Sequence, residues 1–355
     1  MKKALSLVLA MVMLFALAAC GGTTESAAPE STAPESTAPE STAPESEAPE
    51  ATGWQPEQSV DLIIPYSAGG SSDLLGRAVE AVWSNYCDQP LVVTNVPGGG
   101  GVTGSMQVSS SDPDGYTLCL AYGSGCDMSM PYLQELDYDP FTMLKPVCRL
   151  SEHVVTIAVP ADSEFNSVAD VVAWAEENPD SPITASVSTA NGTVHLTFLA
   201  LQNATGLNMN IVPHDSTSGA VTDLLSGSFM IGGGHPSDVL PYVQSGQLKL
   251  IGVATQEREP VFPDVPTLIE QGIDFWAYGS IKGVAVAPGT PDEIIAYYEE
   301  LFRQICEDET FQETMANMGQ PVMYQDTETF TQYFADANAF YKQLIEDLGL
   351  AYYEQ

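Results

Sequence analysis

Short apolar runs alternate with glycine-rich polar loops and amphipathic stretches along most of this chain. Val60-Asp61-Leu62-Ile63-Ile64-Pro65-Tyr66 predicts a buried strand that ends in a small polar loop, with a helix over 74–85. Residues 91–95 predict a second strand, ending in Pro97-Gly98-Gly99-Gly100-Gly101 before another helix, and 116–122 a third after the turn Asp112-Pro113-Asp114-Gly115. A second series follows: strands over 153–160, 183–187, 211–213, 248–254 and 284–287, with helices over 168–177, 193–204 and 218–225. Thr290-Pro291-Asp292-Glu293 predicts a helix start, with a Thr cap, Pro at the first position and acids near the positive end of the dipole. The last helix, 328–348, carries Phe330, Phe334, Ala337, Tyr341, Leu344 and Leu348 on one face, and Gly349 ends it. Those aromatics at helical spacing read as core. Strand, glycine loop and helix repeated in this way predict α/β architecture with parallel sheets covered by helices.

The first 53 residues break that pattern. Lys2 and Lys3 precede an apolar run over 4–19 that is too short to span a bilayer with its flanks and ends in Leu17-Ala18-Ala19-Cys20. This is the layout of a lipoprotein signal peptide (1–19), with Cys20 as the lipid acceptor. Residues 20–53 then form a tether in which Ser-Thr-Ala-Pro-Glu recurs over 31–45. Proline at every fifth residue blocks helix, and the glutamates cannot be buried without partners. Its low-complexity part, 23–53, reaches at most about 90 Å, at roughly 3 Å per residue. No later segment supplies the ~18 consecutive apolar residues of a spanning helix. The expected address is the outer face of the cytoplasmic membrane, held there by lipid.

Charge narrows the possible partners. With 47 acidic and 10 basic residues the net charge is −37, which excludes the basic footprint that nucleic acid requires and argues against docking on anionic lipid. After Cys20, the cysteines are Cys87, Cys119, Cys126, Cys148 and Cys306, with no Cys-x-x-Cys pair, so most are expected to be reduced core residues. The histidines (His153, His195, His214 and His235) show no metal spacing, and neither a metal nor a cofactor is expected.

Three loops carry the candidate chemistry. Ser67, Ala68, Gly69, Gly70, Ser71, Ser72 and Asp73 put backbone N–H groups and hydroxyls at a helix start, where oriented dipoles bind an anion without a formal positive charge. Ser188, Thr189, Asn191, Gly192 and Thr193 repeat the arrangement in the second half, and Thr217, Ser218 and Gly219 repeat it again. Each loop could simply cap its own helix; three together favour a polar cleft for a small anion. Gly234 and His235 are placed at the same cleft. Gly99-Gly100-Gly101-Val102-Thr103-Gly104 meets the dinucleotide pattern, but a glycine run does so easily and no acidic residue ends a following strand. Gly-x-Ser-x-Gly is missing, and nothing positive points to catalysis.

In order, these segments resemble the solute receptors of tripartite tricarboxylate transporters, the Bordetella uptake gene receptor family. The resemblance rests on residues 62–73, Asn95-Val96-Pro97-Gly98-Gly99-Gly100-Gly101, Asp112-Pro113-Asp114-Gly115-Tyr116-Thr117-Leu118, Asp137-Tyr138-Asp139-Pro140 and Asn191-Gly192-Thr193-Val194-His195. It continues through Thr222-Asp223-Leu224-Leu225-Ser226-Gly227, Phe262-Pro263-Asp264-Val265-Pro266-Thr267 and Ala287-Pro288-Gly289-Thr290-Pro291. It implies a type II periplasmic-binding-protein fold: two α/β lobes, 54–155 with 284–355 and 156–283, around a ligand cleft. It also implies a non-enzymatic, monomeric receptor that passes a small carboxylate or amino-acid-like ligand to membrane permease subunits. Two stretches depart from the family. His214-Asp215-Ser216-Thr217 stands where many members carry an aromatic-Lys-Gly segment, and Gly232-Gly233-Gly234-His235 where many carry Phe-Asp-Asn. The added acid at Asp215 disfavours a tricarboxylate and favours a mono- or dicarboxylate, or a ligand with an amine. A sensor feeding a membrane kinase and a secreted hydrolase are the other readings.

Overall fold

The computed structural model describes residues 53–354, Asp215 excepted. Cys20, the signal segment and the tether lie outside the described residues.

The apolar runs form two sheets. The first contains β1 (Val60–Ile64), β2 (Leu91–Asn95), β3 (Thr117–Tyr122) and β4 (Lys145–His153). The second is built from β5 (Thr156–Pro160), β6 (Ile183–Ser188), β7 (Met209–His214), β8 (Ile231–Gly234) and β9 (Leu248–Val253). The chain then returns to the first sheet with β10 (Ser280–Val286) and β11 (Val322–Gln325). Strand order is β11-β4-β10-β3-β1-β2 in one sheet and β7-β6-β8-β5-β9 in the other. This two-lobed α/β arrangement is the type II binding-protein fold that the family resemblance implies.

Three details differ from the sequence reading. The run 153–160 is two strands: β4 ends at His153 in the first sheet and β5 begins at Thr156 in the second, so the backbone crosses between lobes at Val154 and Val155. The return strand starts earlier than expected. β10 pairs with β4 from Ser280 onward, which puts residues 280–283 in the first sheet instead of the second lobe. The sheets are also mixed: β1 runs parallel to β2 and β3, but β10 is antiparallel to β3 and β4, and β5 is antiparallel to β8 and β9. A strand that enters a sheet by crossing from the other lobe is not held to the right-handed βαβ crossover, so its direction is free.

Each lobe has its own core. Leu62, Ile64, Leu75, Trp83, Leu120, Val284, Tyr298 and Phe302 pack together in the first. Ile157, Val159, Phe165, Val187, Phe198, Leu201 and Ile251 do so in the second. The aromatic face of the final helix, Thr327–Asp347, buries Phe330, Phe334, Tyr341 and Ile345 against the other side of the first sheet. Each such side chain contributes ~1.5–3 kcal/mol of burial. Glycine in Gly232-Gly233-Gly234 answers a packing need: a Cβ at Gly233 would lie 2.5 Å from the Phe198 ring, and one at Gly232 2.8 Å from Leu224. At the helix Asp292–Glu307, Pro291 occupies the cap position, and the Thr290 hydroxyl donates backward to the Ala287 carbonyl (2.8 Å) in place of the expected cap. Cys87, Cys119, Cys126, Cys148 and Cys306 are all buried free thiols. Among the described residues no helix is long and apolar enough to cross a membrane.

Candidate functional site

A cavity of about 420 Å³ lies between residues of the two sheets. Four helix N-termini meet at it. The helix Ser71–Trp83 supplies Ser71 and Ser72, Thr193–Thr205 supplies Thr193 and Val194, Thr217–Leu225 supplies Thr217 and its cap Ser216, and Pro236–Gln244 supplies Asp238 and its cap His235. The first amides of a helix have no partner within it, and its start carries roughly half a positive charge. These starts thus converge a positive potential on one small volume.

Of the residues singled out from sequence, Ser67, Gly70, Ser71, Ser72, Ser188, Thr189, Asn191, Gly192, Thr193, Thr217 and His235 line the cavity. The rest support it from outside. The Asp73 carboxylate accepts from the Gly69 amide (2.8 Å) and from Arg77 Nε (3.3 Å), closing the 67–73 loop around Ala68. Those bonds hold its carboxyl below the usual range against the opposing effect of burial. The Gly219 amide is taken by Ser216 Oγ (3.2 Å), which also lies 3.2 Å from Ser218 Oγ. Gly234 is a buried β8 residue whose carbonyl accepts from Thr156 Oγ1 (2.8 Å).

The second-lobe loop is shaped by strain. Thr189 (φ 36°) and Asn191 (φ 62°) both take left-handed backbone, which is uncommon for a non-glycine residue and unfavourable for a β-branched one. The Asn191 amide donates to His195 Nδ1 (2.9 Å), and the Gly192 amide to the Thr189 carbonyl (2.9 Å). Strain of this kind collects where a loop must present its groups to a ligand.

Charge inside the cavity comes from residues that the loop reasoning missed. Lys282, on β10, is 4% exposed, and its Nζ donates to Ser72 Oγ (3.1 Å) and Ser280 Oγ (3.0 Å). Burial pushes its ammonium down to about 8, with Asp238 and Cys126 acting in the opposite direction. The expectation of an anion site without formal positive charge is therefore corrected: a lysine stands beside the Ser71–Trp83 helix start. Its signal was available in sequence, as a lysine inside the apolar run Ser280-Ile281-Lys282-Gly283-Val284 in a chain with only 10 basic residues. Asp238 is the one carboxylate on the lining, and its Oδ2 accepts from the His235 amide (3.2 Å). His235 Nδ1–H donates to the Val154 carbonyl (3.0 Å), and its ring lies 5.8 Å from that of His153. Burial, more than any other cause, lowers both imidazoles, so both are neutral at pH 7. His214 turns away from the cavity, with Nε2 2.8 Å from Asp223. Asp215 lies outside the described residues.

Residues 75–350 match the family model described as the tripartite tricarboxylate transporter family receptor. The chain belongs to that family. It is 31% identical over 296 residues to the UPF0065 protein in the gbd 5′ region of Cupriavidus necator, covering 83% of this chain and 89% of that one. A TctC solute-binding protein from Polaromonas superposes with a TM-score of 0.71 at 30% identity, over 82% of this chain and 99% of that chain. MatC from Rhodopseudomonas palustris, solved with bound malate, shares the fold with a TM-score of 0.68 at 21% identity, over 82% and 99% of the two chains. Members of this receptor family bind solutes and are not enzymes. In this member, the four helix starts and Lys282 form a cleft equipped for an anion.

Proposed function

We propose that this receptor is a lipid-anchored extracytoplasmic protein that captures a small mono- or dicarboxylate in the cavity around Lys282 and delivers it to the permease subunits of a tripartite transporter. The observation that carries the reading is the buried Lys282 ammonium beside the Ser71–Trp83 helix start. A carboxylate there would gain a charge-assisted hydrogen bond together with the amides and hydroxyls of that turn. The cavity holds one lysine and one carboxylate, so a third ligand charge would be desolvated without a partner. That balance favours fewer carboxylates than citrate carries. Anchoring rests on Cys20 behind its apolar segment, and the 20–53 tether would give the receptor reach between solute and permease.

Calorimetric titration with citrate, malate and monocarboxylates tests the ligand class. Tight citrate binding with no response to the smaller acids overturns it. Metabolic labelling with radioactive palmitate tests the anchor, with label expected on the natural chain and lost in Cys20→Ser. Copurification of the tethered receptor with a large membrane subunit tests delivery.

A further inference from the structure

A second cavity, of about 290 Å³, lies against the connections between the two sheets and shares no lining residue with the first. Val154, from the β4-to-β5 crossing, is on its wall, as are residues 255–260 just after β9 and 276–278 just before β10. The two cavities meet through one hydrogen bond, because the Val154 carbonyl is the acceptor for His235.

Two of the charged groups around this second cavity are paired, while Glu257 and Glu259 on its wall form no ion pair among the described residues. Glu152 is satisfied by Arg149 Nη1 (2.7 Å), the Gly279 amide (2.6 Å) and the Tyr333 hydroxyl. Arg258 is taken by Glu270, with Nε 2.9 and 3.0 Å from the two carboxylate oxygens. Glu259 has no such partner: it is 3% exposed, its buried Oε1 has no hydrogen bond, and among the described residues it forms no ion pair. Burial, opposed by a hydrogen bond from the Val261 amide and reinforced by Glu152, holds this carboxyl up at about 7. Aromatic rings complete the lining: Tyr278 lies 4.9 Å from Trp276 and 5.2 Å from Tyr333, centroid to centroid. A buried carboxylate without a counter-charge costs free energy that an entering cation would recover, and aromatic rings attract alkylated ammonium.

We propose that this cavity is a second binding site, which takes a small organic ammonium between the Glu259 carboxylate and the rings of Trp276 and Tyr278, the Tyr333 ring being already occupied by the Arg149 guanidinium at 4.1 Å. It shares no lining residue with the carboxylate cleft. Because its walls are the inter-sheet connections, occupancy would be felt where the lobes hinge.

The full chain in neutral detergent would be titrated with tetramethylammonium chloride and with 1,4-diaminobutane, against sodium chloride at matched ionic strength, following heat and tryptophan fluorescence. A saturable response to at least one ammonium and none to sodium is expected. Glu259→Gln should weaken it at least about tenfold, while Lys282→Met leaves it unchanged. The proposal fails if neither ammonium saturates, if sodium gives the same response, if Glu259→Gln binds like the parent, or if Lys282→Met abolishes binding. Should Glu259→Gln not fold by circular dichroism, Tyr278→Leu takes its place and must weaken binding.

Discussion

On the first-sheet side the cleft presents Lys282, held by Ser72 and Ser280 and backed by the wall of Tyr66, whose ring centroid is 5.8 Å from Nζ. On the second-sheet side it presents uncharged loops, 188–194 and 216–217, together with the single acid Asp238. One face places charge on a strand fixed by neighbours on both edges; the other places hydrogen-bonding groups on loops, of which 188–194 has left-handed backbone at Thr189 and Asn191. The difference suggests a division of labour. On the proposed reading, the rigid face would register the carboxylate and the looped face what is attached to it.

The hardest blow to that contrast is Lys282→Met. If the first face supplies the charge, affinity for the best carboxylate should fall by ~2–4 kcal/mol, about 30- to 1000-fold, by calorimetry. The ligand-free protein should melt no lower, because a buried ammonium that costs desolvation has been removed. An equal loss from any second-face substitution would erase the division.

Proton dependence comes next. The folded Lys282 loses its proton near pH 8, before the unfolded lysine does. Its charged form therefore costs folding stability below pH 8, and stability is regained as pH rises from there toward the unfolded value. A carboxylate needs the charged form, so affinity should stay level from pH 6.5 to about 8 and then fall by up to tenfold per unit. A flat titration to pH 9.5 would show that Lys282 does not hold the ligand.

Smaller effects separate the faces more finely. Ser72→Ala and Thr193→Ala should each weaken binding by about 0.5–1.5 kcal/mol without lowering the melting temperature appreciably. Thr189→Gly relieves the left-handed threonine, so denaturant unfolding should show a gain of ~0.5–1 kcal/mol. Affinity should drop less than about threefold, because the freed loop must be ordered again on binding.

Much of this cleft could be read from residues alone, because helix starts announce themselves locally. Ser67 to Asp73, Asn191 to Thr193 and Thr217 follow short apolar strands and precede amphipathic runs, and the signals of strand end and helix start coincide there. Lys282, whose place in an apolar run was its one local signal, and Asp238 were harder to read for a different reason. Each reaches the cavity from an element whose own pattern looks structural, a buried strand for one and a helix first turn for the other. Their meeting depends on β10 returning to the first sheet, a contact that spans the whole second lobe in sequence. The direction of β5 and β10 was hidden likewise, since the same apolar run can pair either way. Gly232 and Gly233 answer to the Leu224 and Phe198 side chains and to the Ser186 and Thr156 carbonyls, which no local pattern reveals.

The distribution of thiols has a practical consequence. Cys87, Cys119, Cys126, Cys148 and Cys306 all belong to the first lobe, each buried and unbridged, and the second sheet contains none. Burial raises the Cys119, Cys126, Cys148 and Cys306 thiols, so they stay unreactive until the surrounding fold opens. A thiol-alkylating reagent applied to the native protein then becomes a clock for one half of the molecule. It counts openings, local or global, that expose the first lobe, and a ligand that slows the count stabilises that lobe against opening.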